Sequence, residues 1–192
     1  MKVYSPYRGG RFRISSPYGW RTILGAREWH KGLDLVGANG DTAVCAAVGG
    51  TVLQSRIVVS HDDLTWQWGN YVSIRGDDGN TIYYCHLASR AVERGQTVRA
   101  GDLLGVQGHS GYSFGDHLQF EVRNSSNKDI NAATYLGIQN VACSGNYMLP
   151  TAAPDYAALV CSKCGLEEQT KVYINKYKYA DDLWRKLYEQ MK

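Results

Sequence analysis

The sequence has no uninterrupted apolar stretch that approaches the ~18 residues of a membrane-spanning helix, although 44% of its 192 residues are hydrophobic. Its first residues, MKVYSPYRGG, also lack the apolar core of a secretory signal peptide. We therefore expect no membrane span and synthesis in the cytoplasm. If the target lies outside the cytoplasm, something other than a signal on this chain has to deliver the protein.

An excess of charge of one sign is also lacking. The formal net charge is only +3, and the basic residues are spread along the chain without forming a cluster. Proteins that bind nucleic acids usually carry a basic patch or stripe, so we expect no nucleic-acid partner.

Cysteine occurs in an odd number, five. A chain of this length buries a core without disulfide bonds, so we expect reduced thiols rather than a disulfide framework. Cys161 and Cys164 have the spacing of half a zinc ribbon, and Cys143 precedes them. A structural zinc site needs four ligands, and the sequence offers no convincing fourth, so free thiols are the prediction here too.

Long stretches of helical periodicity are absent before residue 150, where short apolar runs alternate with turns rich in Gly and Asp. This spacing is typical of an antiparallel β-sheet, and Asp77-Asp78-Gly79-Asn80 predicts a hairpin turn between two strands. The predicted strands are the runs 51–59, 71–74, 81–87, 97–106 and 117–122. We therefore expect a mainly β domain over residues 1–142.

Residues 143–192 differ in character and predict a linker followed by a short helical appendage. Leu149 to Pro154 contains two prolines, which favour an extended connection. From Tyr179 to Met191 the apolar residues recur on one helical face, which predicts a C-terminal helix. Trp184 lies on that face, and we expect it to pack on the β domain or on a partner chain.

Two short patterns contain residue types that bind metals. His30 and Asp34 lie four residues apart, and imidazole with carboxylate is a common zinc-binding combination. In the run 117–122, period-two alternation puts the apolar side chains on one strand face and places on the other His117, Gln119 and Glu121. Taken alone, a surface histidine near a capping aspartate, or an ordinary half-exposed strand, explains either pattern.

A third pattern places one histidine among strand residues. In the run 81–87, alternation predicts that His86 shares a face with Ile82 and Tyr84. A single histidine in such a strand is more often structural than catalytic, so this pattern gains weight only in combination with the others.

The order of the motifs along the chain is more specific than any one of them. In sequence they are ISSPYGWR, HKGLD, DTAVCAAVGGT, GNYV, YCHL, GQTV, GHSGYSFGDHLQFE and NAATYLG. Nearly every one resembles its counterpart, in the same order, in the lysostaphin-type (LytM-like) zinc endopeptidases. The resemblance covers roughly residues 11–140.

This resemblance implies an antiparallel β-sheet whose loops form a narrow groove, with a zinc ion on its floor. His30 and Asp34 fall at zinc-ligand positions of the family. His86 and His117 fall on its catalytic histidines, which would stabilise the oxyanion and carry the proton. The third zinc ligand of the family is a histidine, and this chain has Gln119 at that position.

Gln119 leaves three outcomes open. An amide oxygen is neutral and binds zinc more weakly than imidazole does. In the first, Gln119 is a weak zinc ligand. In the second, His109 replaces the histidine ligand that the family has at this position. In the third, the site holds no metal. The last outcome predicts a catalytically inactive module that binds cell-wall peptide or a partner hydrolase.

The function implied by the resemblance is zinc-dependent hydrolysis of peptide cross-bridges at the bacterial cell wall. A phage-type lysin or a virion component would suit a chain without a signal peptide. Aromatic side chains beside the groove suit substrate contact, and the candidates are Trp66, Trp68 and Tyr112. Packing of either tryptophan onto the core is an equally good interpretation. The sequence does not predict the oligomeric state.

Overall fold

The computed structural model describes residues 2–152, 160, 161, 163–167, 170 and 180–191. The chain divides into two compact units, Met1–Ala152 and Ala153–Lys192. The strands of the first unit are β1 (Arg11–Ser16), β2 (Gly19–Ile23), β3 (Ala26–His30), β4 (Gly32–Gly37), β5 (Ala43–Cys45), β6 (Gly50–Arg56), β7 (Tyr71–Gly76), β8 (Thr81–Cys85), β9 (Leu87–Arg90), β10 (Thr97–Val98), β11 (Leu103–Gln107), β12 (Leu118–Arg123), β13 (Asp129–Ile130) and β14 (Tyr147–Met148). A short helix, α1 (Ala132–Leu136), follows β13.

Most strands join one large sheet with the order β10-β6-β7-β8-β12-β4-β1-β14, and β13 pairs with β12. The strands β5-β11-β9 form a second sheet, and β2-β3 form a separate hairpin. The pairings within all three sheets are antiparallel. The predicted fold class, a mainly β domain built on an antiparallel sheet, is confirmed.

The apolar core contacts one face of the large sheet. The apolar positions of β12 are fully buried there, namely Leu118, Phe120 and Val122. Tyr84 of β8 packs edge-on against Phe120, with ring centroids 5.4 Å apart. Alternation leaves Gln119 on the opposite face, as the sequence predicts. The register of the central strands thus determines that the polar side chain of Gln119 lies on the face away from the core.

The predicted hairpin turn is confirmed, because β7 and β8 pair around Asp77–Asn80. The predicted strand 97–106 is instead two strands, because a turn at Arg99–Asp102 separates β10 from β11. The predicted domain boundary after residue 142 also moves. Since β14 pairs with β1, the first unit extends to Ala152.

The second unit contains the predicted C-terminal helix, α2 (Ala180–Gln190). Trp184 is buried in an apolar cluster with Val160 and Cys161 of the same unit. Tyr179, and Pro154 of the predicted linker, lie outside the described residues. None of the helices among the described residues is long and apolar enough to cross a membrane. All five cysteines are free thiols.

The hairpin of β2 and β3 turns through a strained residue. Ile23 pairs with Ala26, so Leu24 and Gly25 are the two turn residues, with φ of 49° and 82°. A tight two-residue turn of this kind requires positive φ at both positions, which glycine tolerates and leucine does not. The Leu24 side chain is also 87% exposed. Burial therefore does not offset the backbone strain.

We expect Leu24→Asn to stabilise the protein by about 1 kcal/mol, because asparagine tolerates the left-handed conformation. For a chain of this size that corresponds to a rise of roughly 2–4 °C in Tm, measured by thermal unfolding. Leu24→Ala is the control, since it removes the exposed side chain but keeps a strained Cβ. Equal stabilisation by both variants would contradict the role of backbone strain.

Candidate active site

The central strands bring the predicted site residues together on the face opposite the core. Gln119 lies opposite Asp34 in the pairing of β12 with β4. It lies opposite Cys85 in the pairing of β12 with β8. His86 follows Cys85 directly, and His117 directly precedes β12. Residues distant in sequence therefore meet through strand register.

His30 and Asp34 form a buried pair. His30 is the last residue of β3, and its side chain is 3% exposed. Its Nε2 atom is 3.0 Å from Oδ1 of Asp34. Neither atom makes a hydrogen bond within the described structure. Two buried polar atoms that face each other in this way are satisfied by a shared proton or by a cation.

Three histidines are oriented in the same way, through Nδ1. Each Nδ1 lies 2.8 Å from a backbone carbonyl oxygen, which belongs to Pro17 for His30, Ser110 for His86 and Gly115 for His117. A carbonyl oxygen can only accept, so each Nδ1 donates and carries the hydrogen. In each neutral ring Nε2 keeps its lone pair, the arrangement that metal binding and proton transfer both need.

His86 reaches the site through a backbone irregularity. Its φ is 62°, in the left-handed region, at the junction of β8 and β9. The irregularity reverses the strand alternation. Tyr84 therefore faces the core, whereas His86 contacts Gln119 on the opposite face. The prediction that His86 shares a face with Ile82 and Tyr84 is wrong, because period two ends where the regular strand ends.

Two loops approach closely beside His86. Ser110, whose carbonyl accepts from His86, also accepts through its hydroxyl a 2.9 Å hydrogen bond from the backbone N–H of Asn70. At Gly69 a Cβ would lie 2.3 Å from the Ser110 carbonyl oxygen. Only glycine permits this approach. The orientation of His86 therefore depends on a glycine at position 69, since a Cβ there would displace the Ser110 carbonyl.

The Asp34 carboxylate contacts three basic side chains, those of His30, His117 and Arg21. Arg21 Nη1 donates to its Oδ2 at 2.8 Å, and His117 Nε2 lies 3.4 Å from its Oδ1. Burial alone would raise the pKa of Asp34, but interactions with His117 and His30 hold that pKa well below its usual range. Asp34 is therefore ionised at neutral pH. Arg21 was not among the predicted site residues, although its place in the motif ISSPYGWR was an available signal.

The two predicted catalytic histidines differ in basicity. Their ring centroids are 4.7 Å apart. Burial lowers the pKa of His86, and the neighbouring His117 lowers it further. Burial also acts to lower the pKa of His117, but its contact with Asp34 outweighs burial and raises that pKa. His86 is thus neutral at pH 7, and His117 is the ring that protonates more readily.

The side-chain amide of Gln119 contacts His86, and its Oε1 position lies 3.4 Å from Nε2 of the ring. Since His86 is neutral and carries its hydrogen on Nδ1, Nε2 is an acceptor there. The contact is favourable when the amide is turned so that its NH2 group donates to His86. In that orientation Gln119 helps to fix the His86 ring and keeps its carbonyl oxygen free of that bond.

The residues present fit a divalent metal in part. His30 Nε2 and Asp34 Oδ1 supply two converging donors, and they are the unsatisfied buried atoms. Among the described residues, no group of three or more His, Cys, Asp or Glu side chains is placed to hold a metal. The third member of the predicted ligand set, Gln119, contacts His86 and can offer a metal only its amide oxygen. His109 does not replace it, because its Nδ1 pairs with Asp116 at the exposed surface, 2.8 Å away.

The predicted substrate-contacting aromatics lie in two neighbouring loops. Trp66 and Trp68 belong to a short 3-10 helix, and both are half-buried. Trp68 packs against Tyr83, with ring centroids 5.0 Å apart, which gives it a structural role. Trp66 lies beside Tyr112, with centroids 6.3 Å apart, and Tyr112 is 51% exposed. Trp66 and Tyr112 therefore remain the better candidates for substrate contact.

We expect His30, His86 and His117 to carry their hydrogen on Nδ1 in chelator-treated protein at neutral pH. Long-range ¹H–¹⁵N correlation spectra distinguish this tautomer from the Nε2–H form. His61 is the internal comparison, because its side chain is exposed and stacks on Trp66 instead of bonding to a carbonyl. An Nε2–H tautomer at any of the three rings would contradict the carbonyl-anchored arrangement.

The family model for peptidase family M23 matches residues 28–132, more than half of the chain. DD-carboxypeptidase/endopeptidase Mpg of Neisseria meningitidis is 35% identical over 113 residues, 58% of this chain and 24% of that protein. Murein hydrolase activator NlpD of Salmonella typhimurium is 31% identical over 107 residues, 56% of this chain and 26% of that protein. The chain thus matches about a quarter of the length of these relatives.

Solved structures agree with the family match. A mutant catalytic domain of the prophage-encoded M23 protein EnpA from Enterococcus faecalis is 28% identical, with a TM-score of 0.55 over 69% of this chain and 97% of that one. The lysostaphin catalytic domain from Staphylococcus simulans is 26% identical, with a TM-score of 0.51 over 66% of this chain and 91% of that one. The resemblance to the lysostaphin-type peptidases is confirmed, and the chain belongs to peptidase family M23.

Proposed function

We propose that this protein is a zinc-dependent endopeptidase that hydrolyses peptide cross-bridges of bacterial peptidoglycan. The observation that carries the proposal is the pair of unsatisfied buried atoms, His30 Nε2 and Asp34 Oδ1, 3.0 Å apart. His117 Nε2 lies 3.4 Å from the same Asp34 oxygen, and the ring of His86 lies beside that of His117. Two metal-donor atoms thus lie beside two groups that can carry a proton.

The metal would be held by His30, Asp34 and Gln119, through an imidazole, a carboxylate and an amide oxygen. Zinc bound there would polarise the scissile carbonyl and lower the pKa of its bound water. Arg21 occupies Oδ2 of Asp34 with a 2.8 Å hydrogen bond, which directs Oδ1 into the site. Arg21 is therefore a positioning residue for the carboxylate.

His86 and His117 would handle the proton and the developing negative charge. Their Nδ1 atoms are bonded to backbone carbonyls, so only Nε2 of each ring can exchange a proton with substrate. Nε2 of neutral His86 can accept a proton from an attacking water molecule. Protonated His117 can donate from Nε2 to the oxyanion or to the leaving amine.

The substrate class and the setting are parts of this proposal. The name of Mpg, a DD-carboxypeptidase/endopeptidase, supports peptide bonds as the target, and the name of NlpD, a murein hydrolase activator, supports the cell wall. EnpA is prophage-encoded, which supports a phage-type lysin or virion component that acts at the bacterial cell wall. Because the chain matches about a quarter of the length of Mpg, the choice of bond is proposed for this domain alone.

A second candidate function is favoured by Gln119. By the resemblance, its amide stands where the family has its second zinc-binding histidine, and it contacts His86. A neutral amide binds zinc more weakly, so the same groove would then serve as a catalytically inactive module. Such a module would bind cell-wall peptide or a partner hydrolase, in keeping with the name of the relative NlpD, a murein hydrolase activator.

We expect protein purified without chelators to contain about one zinc per chain that Asp34→Ala loses, because the variant removes the charged donor. Elemental analysis measures the difference, and subtraction cancels any metal held by cysteines. Asp116→Ala is the matched control, since Asp116 is a surface carboxylate that pairs with His109. Equal zinc in wild type and Asp34→Ala would contradict the proposed metal site and favour the inactive module.

Gln119→His tests which of the two functions the groove performs. We expect it to tighten zinc binding by at least about tenfold, because imidazole is the stronger zinc donor. Zinc affinity is measured by competition with a chromophoric chelator, and cleavage is followed on cross-linked muropeptides. Cleavage by wild type with zinc supplied supports the peptidase. Cleavage by Gln119→His alone would show that the natural chain is the inactive module.

A further inference from the structure

The hairpin of β2 and β3 flanks the site with His30 and Arg21, and it exposes two tryptophans on its other face. Trp20 is 61% exposed and Trp29 is 42% exposed, and the two side chains pair across the hairpin. Their rings meet edge to face, with centroids 5.5 Å apart. Trp29 directly precedes His30 in β3, so its ring lies on the opposite face of the hairpin from the His30 imidazole. Neither tryptophan was among the predicted substrate contacts.

The exposed ring of Trp29 is fixed in place. Its Nε1–H donates to Oδ2 of Asp129 at 3.0 Å, and the Tyr18 hydroxyl donates to the same oxygen at 2.9 Å. Tyr18 also packs edge-on against Trp29, with centroids 5.3 Å apart. An aromatic side chain held on several sides and still open to solvent is preorganised for a ligand. A ring exposed by chance would have no such support.

The groups around the rings are charged rather than apolar. The guanidinium of Arg27 lies 4.6 Å from the ring centroid of Trp20. Asp129 lies at the edge of Trp29, where its carboxylate keeps further acceptor capacity. Hydrogen-bonding groups around aromatic faces suit a pyranose ring, which has an apolar C–H face and polar hydroxyls at its edge. The Asp129 carboxylate is the group that favours a sugar over a protein partner, because acidic side chains are depleted in the cores of protein interfaces.

We propose that Trp20 and Trp29 form a saccharide subsite, which stacks on a sugar ring of the glycan strand that carries the cleaved peptide. This inference rests on the proposed function, because it assumes that the peptide at the site belongs to peptidoglycan. The hairpin would hold the glycan while the attached peptide reaches His86 and His117. Tyr18 and Asp129 are positioning residues, since they orient the ring of Trp29.

The full chain is titrated with glycan strands that an amidase has freed of peptide, and separately with the free stem peptide. Binding is followed through the indole N–H signals, and that of Trp29 is assigned by its loss in Trp29→Phe. We expect glycan strands to shift the Trp29 signal. Trp20→Ala should weaken their binding about tenfold, the loss of one stacking contact. Trp29→Phe should weaken it less, because it keeps an aromatic face but loses the hydrogen bond to Asp129.

Leu24→Asn is the matched control. It removes an exposed apolar side chain from the same hairpin without touching a ring, so glycan binding should stay at the wild-type value. Unchanged affinity in Trp20→Ala would overturn the proposal, and so would equal weakening by Leu24→Asn. Self-association that depends on Trp20, with no glycan binding, would also overturn it and assign the surface to a second copy. Glycan binding without zinc or cleavage would leave the subsite standing while the proposed peptidase function fails.

Discussion

The site depends on one repeated interaction, the hydrogen bond from histidine Nδ1 to a backbone carbonyl. It occurs at His30, His86 and His117, always at 2.8 Å. Because a carbonyl cannot donate, this bond fixes the tautomer as well as the ring orientation. Three Nε2 atoms are thereby left as the reactive positions, and His30 and His117 direct theirs at Asp34 Oδ1. Without the carbonyls the same residues would be rings of undefined tautomer.

The carbonyls are in turn supplied by loops, and the loops are held by the sheet. Pro17 lies between β1 and the hairpin, whereas Ser110 and Gly115 lie in the loop before β12. The close approach of that loop to Gly69 fixes the Ser110 carbonyl, and the register of β12 against β4 and β8 fixes Gln119. The positions of the site residues thus depend on the packing of the apolar core on the other face of the sheet, where Phe120 and Tyr84 pack together.

The sequence predicts the sheet well because alternation is a local property. It places Leu118, Phe120 and Val122 in the core and Gln119 opposite them, as the structure confirms. Alternation fails at His86, where a φ of 62° reverses the faces of the strand. A periodic sequence pattern does not reveal one irregular backbone conformation. It also misplaces the domain boundary, since the pairing of β14 with β1 joins segments far apart in sequence.

The same locality explains which site residues were found and which were overlooked. His30, Asp34, His86 and His117 stand out because their motifs occur in a fixed order along the chain. Arg21 acts on Asp34 through a side chain that only the folded hairpin brings within 2.8 Å. The aromatic pair on that hairpin was overlooked because exposure, not residue type, distinguishes it from a core tryptophan. Long-range contacts and exposure are consequences of the fold, so sequence motifs report them only indirectly.

Under the proposed function, Gln119 would do more than weaken the binding of a metal. Histidine has one donor nitrogen and one acceptor nitrogen, whereas an amide has an oxygen that accepts and an NH2 group that donates. If the NH2 group bonds to Nε2 of His86, the oxygen is the only atom left for a metal. Orientation of the proton carrier and coordination of the metal are then coupled through one planar group. A change at residue 119 therefore acts on both, and zinc binding and proton transfer have to be measured separately to divide its effect.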